Sequence, residues 1–339
     1  MTRVNNFIFH TQFTVMQKNK AALKPIGGYL ELELPKGNEY YPDLVRLNTG
    51  RNALEYILIQ KKYHKIYIPY FTCDVLLEPI ARTGIQYQFY HVDRQLDPII
   101  DFEIEPDACF LYTNYFGIKQ TKASELSGKI KNLIIDNSQA FFSEPLAGID
   151  TFYSCRKFFG VPDGAYLSIK RKLTKKLPID SSVNRFSHLI KSIDAGIEAG
   201  YSDYINNSKD LENNEIRSMS LLTQKMLSSI NYNECVFTRQ RNFNFLHKHL
   251  AEFNLLKFNA ADEHTVPLVY PFLTNDRHLK VHLIQKKIYV ATYWPNVFKW
   301  TKKNTNENYL ARCLVPLPID QRYDLQDMFY MLNTLRLFL

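Results

Sequence analysis

Between residues 49 and 170, short apolar runs alternate with polar or helix-patterned stretches, and this alternation constrains the fold more than any other feature of the chain. The segment TGRNALEYILIQKKY (49–63) places Ala53, Leu54, Ile57 and Leu58 at helical spacing behind a Thr-Gly start. It is followed by KIYIPYF, DVLLEPIART, IQYQFYHVD, CFLYTNYFG, TKASELSGKIK, NLIIDNSQAF, TFYSCRKF and GAYLSIK in turn. Apolar runs of strand length separated by helical stretches predict a largely parallel, doubly wound α/β sheet, because parallel neighbours need long crossover connections. A short strand is also expected in GGYLELEL (27–34). From about 180 to 250 the pattern turns helical, and the last hundred residues carry strand-like TVPLVYPFL and KIYVATYW before a terminal helix in DLQDMFYMLNTLRLF. These shifts predict a large domain over 1–235, including the N-terminal segment, and a smaller C-terminal α+β domain over 236–339.

With 339 residues and 45% hydrophobic content the chain can bury a sizeable core. The net charge of +8 is spread through segments such as KRKLTKK (170–176), which suits an anionic small ligand or solubility better than a nucleic-acid surface. The five cysteines are widely spaced with no Cys-x-x-Cys pair, so neither a disulfide framework nor a thiolate zinc site is suggested. No His-x-x-x-His pair points to a metal. The polar opening (1–20) lacks an apolar signal core, and no stretch is long enough to span a membrane. The expected setting is the reducing cytoplasm.

Three positions carry candidate chemistry. Asp136 ends the apolar run Leu133–Ile135, where ligands bind in open parallel sheets, although an Asp-Asn-Ser cluster also caps turns. The helix start at Thr49 to Ala53 offers unpaired N–H groups to a phosphate, with Arg51 and Asn52 as further donors; it is equally an ordinary helix entry. Lys157 stands beside Arg156 in an aromatic run, where it either snorkels to water or supplies an amine whose neutral form burial and the adjacent cation would favour. An amine, a carboxylate and a phosphate seat are what pyridoxal phosphate requires, and Ser154 is placed to hold the phosphate beside the helix start.

The order TGRNAL, IPYFTCDVLLEPI, IIDNSQAF and FYSCRKFFGVPDGAYL resembles the DegT/StrS-type sugar aminotransferases, a family of fold type I pyridoxal-phosphate enzymes. The resemblance implies that the turn at Gly50, Arg51 and Asn52 cradles the cofactor phosphate with Ser154. It implies that Asp136 partners the ring nitrogen, that Gln139 contacts the ring hydroxyl, and that Lys157 forms the Schiff base. Cys73 stands where many members place the ring-stacking aromatic, so that Tyr70, Phe71 or Tyr115 would stack instead. NEIRSMSLLTQKML (214–227) is similar to a helix start that reaches the neighbouring subunit's phosphate, which makes Arg217 the candidate. The turn Val161-Pro162-Asp163-Gly164-Ala165 departs from the usual glycine-rich one, and Ser154 lies three rather than five residues before the lysine. The implied function is amine transfer from an amino acid to a keto sugar, nucleotide-linked, in a homodimer. The alternatives are a non-catalytic sugar-nucleotide-binding or regulatory relative and a pyridoxal-phosphate-dependent eliminase or dehydratase. Tyr293, Trp294 and Pro295 are expected to serve packing rather than substrate.

Overall fold

In the computed structural model, which describes residues 26–338, the predicted helix starts where its cap is written. Thr49 is extended and its side-chain oxygen accepts the backbone N–H of Asn52, opening helix α1 (Gly50–Lys61) behind a short strand β1 (Val45–Leu47). There follow β2 (Lys65–Pro69), α2 (Leu77–Thr83), β3 (Gln86–Val92), β4 (Pro98–Ile99), β5 (Cys109–Thr113), α3 (Gln120–Ser127), β6 (Leu133–Asp136), β7 (Asp150–Ser154) and β8 (Ala165–Ser168). These eight strands form one sheet in the order β1-β8-β7-β6-β5-β2-β3-β4. The pairs from β3 through β2, β5 and β6 to β7 are parallel, while β8, β1 and β4 join antiparallel at the flanks.

The near-continuous apolar strands reflect a sheet covered on both faces. Ile66, Ile68, Cys109, Leu111 and Ile134 point to one side, into a core with Leu54, Ile57 and Leu58 of α1 and Ile80 of α2. Tyr67, Phe110, Tyr112, Leu133 and Ile135 point to the other, against Ala123 and Leu126 of α3 and against Trp294, Val297 and Leu310. Much of the aromatic content fills a further cluster, in which Tyr41, Phe141, Phe142, Tyr153, Phe158 and Phe159 pack together behind the Lys157 turn.

The second half carries α4 (Ser187–Asp194), α5 (Tyr201–Asp210), α6 (Leu221–Ser228) and α7 (Tyr232–Leu250), then β9 (Val269–Leu273), α8 (Leu279–Gln285), α9 (Val297–Trp300), α10 (Asn306–Cys313), β10 (Leu314–Pro318) and α11 (Leu325–Leu335). β9 and β10 form an antiparallel pair, and Tyr270, Phe272, Val315 and Leu317 share a core with Leu246 of α7, Leu283 of α8 and Met328 of α11. The terminal helix is fixed by a capping box between Asp324 and Asp327.

Two expected strands are absent. Residues 27–34 alternate as a strand would but pair with no strand among the described residues, and Tyr29 and Leu30 face solvent. The segment KIYVATYW is irregular: Ile288 and Val290 are buried in the C-terminal core without a ladder partner, so burial alone satisfies their apolar pattern. Residues Met1–Leu34 and Pro35–Leu339 are separate units, and the polar stretch 1–20 lies outside the described residues. Among the described residues no helix is long and apolar enough to cross a membrane.

Candidate active site

Register places four strand ends on one rim of the sheet. Thr113 pairs with Asp136 and Asp136 with Phe152, so β5, β6 and β7 all finish together. Ser154, the last residue of β7, faces Ala165 at the start of β8, and Ala165 in turn faces Leu47 at the end of β1, from which the chain enters α1. The N-terminus of α1, Asp136, Ser154 and the 3₁₀ turn Cys155–Lys157 therefore converge where open parallel sheets bind ligands.

Asp136 is buried, and one of its carboxylate oxygens accepts the Ser138 N–H at 2.8 Å. Burial pushes its carboxyl above the usual range, while Ser138 and the Lys157 charge act in the opposite direction. Gln139 is buried one turn further on. Its Oε1 accepts the Phe116 N–H at 2.9 Å and its Nε2 has no partner among the described residues. An orphaned buried amide donor is costly unless a ligand acceptor meets it. Phe116 and Gly117 both take positive φ, and a Cβ on Gly117 would come within 3.1 Å of the Val266 carbonyl, so this turn needs glycine.

At the helix start the predicted donors separate. Gly50 lies at the site: a Cβ there would sit 3.6 Å from Ser138 Oγ and 3.8 Å from Ser154 Cβ. The Arg51 guanidinium turns away to the Glu78 carboxylate, which Arg82 also holds. The Asn52 side chain is fully buried and donates to Glu55 Oε2 and to the Asn214 carbonyl, and its backbone N–H is taken by Thr49. The side chains of Arg51 and Asn52 are thus engaged elsewhere, while Ser138 and Ser154 lie beside Gly50 and the Gly50 and Arg51 N–H groups are free of an intrahelical acceptor at the helix start. Ser138 was legible only as a turn former in the Asp-Asn-Ser cluster. Arg217 packs its backbone against Asn48, exchanging hydrogen bonds beside the helix start, while its half-exposed guanidinium lies 4.0 Å from Asp180.

Lys157 is exposed to solvent on this rim and makes no hydrogen bond or ion pair with any described residue. Its Nζ is 5.8 Å from the Tyr293 ring centroid. Burial pulls the amine's pKa down and Arg156 adds to that, as expected, but Tyr293, Cys73 and Tyr204 outweigh them and the net direction is upward. Tyr293 thus borders Lys157 while it packs, as expected, against Phe116 and Trp294. Trp294 also packs against Phe71 and Tyr115.

None of the three expected ring-stacking aromatics faces Lys157. Phe71 is buried under Trp294, Tyr115 donates its hydroxyl to the Phe71 carbonyl at 2.7 Å, and Tyr70 stacks on Phe89. Cys73 is the residue that senses the lysine; burial raises its thiol pKa while the Val75 N–H and Lys157 act against the rise.

The unusual turn after the lysine is held from within. Asp163 is fully buried and accepts the hydroxyls of Ser182 and Thr223 and the Arg185 guanidinium at 2.7 Å. Gly164 has φ +109° and an added Cβ would meet Thr223 Cγ2 at 2.9 Å. One carboxylate with three donors replaces what a glycine-rich turn achieves by backbone freedom.

An eight-stranded, mostly parallel sheet with flanking helices is the fold that this chain shares with fold type I pyridoxal-phosphate aminotransferases of known structure. The solved structures that share it include the sugar aminotransferase CalS13 from Micromonospora echinospora, with a TM-score of 0.60 at 15% identity over 87% of each chain. DesV from S. venezuelae, solved in complex with a ketimine intermediate, superposes with a TM-score of 0.58 at 15% identity over 87% of this chain and 84% of that one. NtdA from Bacillus subtilis, with bound cofactor PMP, gives 0.59 at 13% identity over 86% and 72%. No protein-family model and no curated protein matches the sequence.

Proposed function

We propose that this chain is a pyridoxal-phosphate-dependent aminotransferase that moves the amino group of an amino acid onto a keto sugar, nucleotide-linked, and that it works as a cytoplasmic homodimer. The observation that carries the reading is the meeting of Lys157, Asp136 and the orphaned Gln139 amide on one strand-end rim. These residues fit the cofactor. Lys157 would bind its aldehyde, Asp136 its ring nitrogen, Gln139 its ring hydroxyl, and Ser138, Ser154 and the Gly50–Arg51 N–H groups its phosphate.

Pyridoxal phosphate supplies an electron sink for the bond that breaks at the substrate carbon. The chain's own residues do the rest. Asp136, already desolvated, favours a cationic N–H opposite it. Lys157 Nζ takes a proton from the donor amino acid's α-carbon and returns one to the acceptor sugar carbon, so it must lose its own proton first. The upward direction of its pKa predicts that activity rises with pH until that proton is lost. The Tyr293 ring, 5.8 Å from Nζ, faces the ammonium form meanwhile. The dimer is supported by the apolar face of α4 and α5, where Ile190, Ile193, Ile197 and Tyr201 are exposed. Tyr204, on the same face, lies 5.4 Å from the Arg156 guanidinium beside Lys157, so a second copy there would border the site. The portion 236–339, which brings Tyr293 to Lys157, is assigned the part of a small domain closing over the substrate.

The test is spectroscopic. Protein mixed with pyridoxal phosphate is expected to show a band at roughly 400–430 nm that borohydride abolishes, with the label on Lys157 and no band in Lys157→Ala. A protein that stays colourless with excess cofactor refutes the reading. A band without amine transfer to any keto sugar selects the non-catalytic alternative.

A further inference from the structure

Arg239, in the third turn of α7, is 1% exposed, yet no carboxylate lies within hydrogen-bond distance of it. Its donors go to neutral acceptors: Nη1 to the carbonyls of Pro267 (3.3 Å) and Leu268 (3.0 Å), Nη2 to the Phe158 carbonyl (3.3 Å), and Nε to Gln321 Oε1 (3.1 Å). Gln321 Nε2 donates to the same Phe158 carbonyl at 2.8 Å. The guanidinium also covers the Phe158 ring, 4.6 Å from its centroid. Asp320, the nearby acid, is occupied by Arg322. Burying an unpaired cation costs several kcal/mol, and packing alone would be served better by an apolar side chain.

What the charge holds together is the site. Phe158 directly follows Lys157. At the other end, the Leu268 N–H donates to the Phe116 carbonyl at 2.9 Å, and the Phe116 N–H donates to Gln139 Oε1 at 2.9 Å. A hydrogen-bonded path therefore runs from the Lys157 turn through Arg239, Leu268 and Phe116 to the Gln139 amide, beside the ring contacts of Phe141 and Phe142 with Phe158.

We propose that Arg239, together with Gln321, is a positioning residue that fixes the Lys157 turn relative to Gln139 and so sets the span between the amine and the amide. This rests on the pyridoxal-phosphate reading above, in which one cofactor ring bridges those two groups. A rigid span holds reacting groups in a productive geometry, and a displacement of about 1 Å costs on the order of a hundredfold in rate.

The test uses the cofactor-loaded enzyme and two variants, Arg239→Lys and Gln321→Ala. Lysine keeps the charge but cannot reach three carbonyls at once; Gln321→Ala removes one donor from a half-buried side chain and keeps the test alive if the first variant does not fold. Leu246→Ala, in the core of the same helix and off the path, is the control for lost stability. The variants are expected to shift the pH midpoint of the bound cofactor's absorbance band by about half a unit or more. They are also expected to lower kcat by about 10- to 100-fold with KM nearly unchanged, while Leu246→Ala lowers the melting temperature and moves neither. A yellow wild type whose variants lose only stability, as the control does, overturns the positioning role alone. A colourless wild type overturns both readings.

Discussion

Replacing Asp163 by alanine tests whether the turn after Lys157 is held by one buried carboxylate. Asp163 is inaccessible to solvent and receives Arg185 Nη2 at 2.7 Å, Thr223 Oγ1 at 2.5 Å and the Ser182 hydroxyl. The hydroxyls are not stranded by its loss, since Ser182 Oγ lies 2.5 Å from Ser220 Oγ, to which it can turn, and Ser220 Oγ lies 3.0 Å from Thr223 Oγ1. Arg185 keeps Asp180 at 2.6 Å. The loss is therefore concentrated in half of an ion-pair network and a small cavity, which places it near the low end of the range for breaking a buried pair, about 3 kcal/mol. At about 2.1 cal/mol/K per residue, a chain of 339 residues unfolds with an entropy of roughly 0.7 kcal/mol/K, so the melting temperature should fall by about 4 °C. Asp163→Asn, which keeps the volume and one acceptor, should fall by about half as much. Thermal melts followed by circular dichroism read both. An alanine variant melting within about 1 °C of the parent would refute the assignment of the turn's stability to this carboxylate.

Three further outcomes are expected. Gly117→Ala forces a side chain into positive φ and within 3.1 Å of the Val266 carbonyl, and should cost about 1–2 kcal/mol in denaturant midpoint while weakening cofactor binding through Gln139. Lys280 is pulled down to about 8 by burial while an unfolded lysine titrates near 10.4. The unfolded chain then binds the extra proton between those values, so stability rises with pH from about 8 to 10.4 by roughly 3 kcal/mol at most, and Lys280→Met should flatten that rise in melts at pH 7 to 10. Asp136→Asn should leave the fold intact but reduce amine transfer by about a hundredfold or more, measured as amino-sugar formation under saturating cofactor.

The rim of the site was written in local signals. Thr49 before a helical apolar stripe marks its own cap, and an acid that ends an apolar run marks a strand end, because period and capping depend on neighbours a few residues away. Tyr293 could not be found that way: it lies 136 positions from Lys157 and reaches it only through the course of residues 286–297, a segment whose alternation imitates a strand. The destinations of Arg51 and Asn52 were likewise hidden, since Glu78 and Asn214 come from distant parts of the chain.

By itself the sequence determined the α/β alternation, the two-faced burial of the strands, the start of α1 at its Thr49 cap and the strand end at Asp136. Each of these follows from side-chain type and short-range periodicity, which act before the chain has closed on itself. Tertiary structure alone decided which donors face the site, why the turn at Asp163 holds without a glycine-rich sequence, and how Arg239 links Lys157 to Gln139. Those are contacts between residues far apart in the chain, and their partners are fixed only when the sheet register and the packing of the C-terminal elements bring them within hydrogen-bond distance.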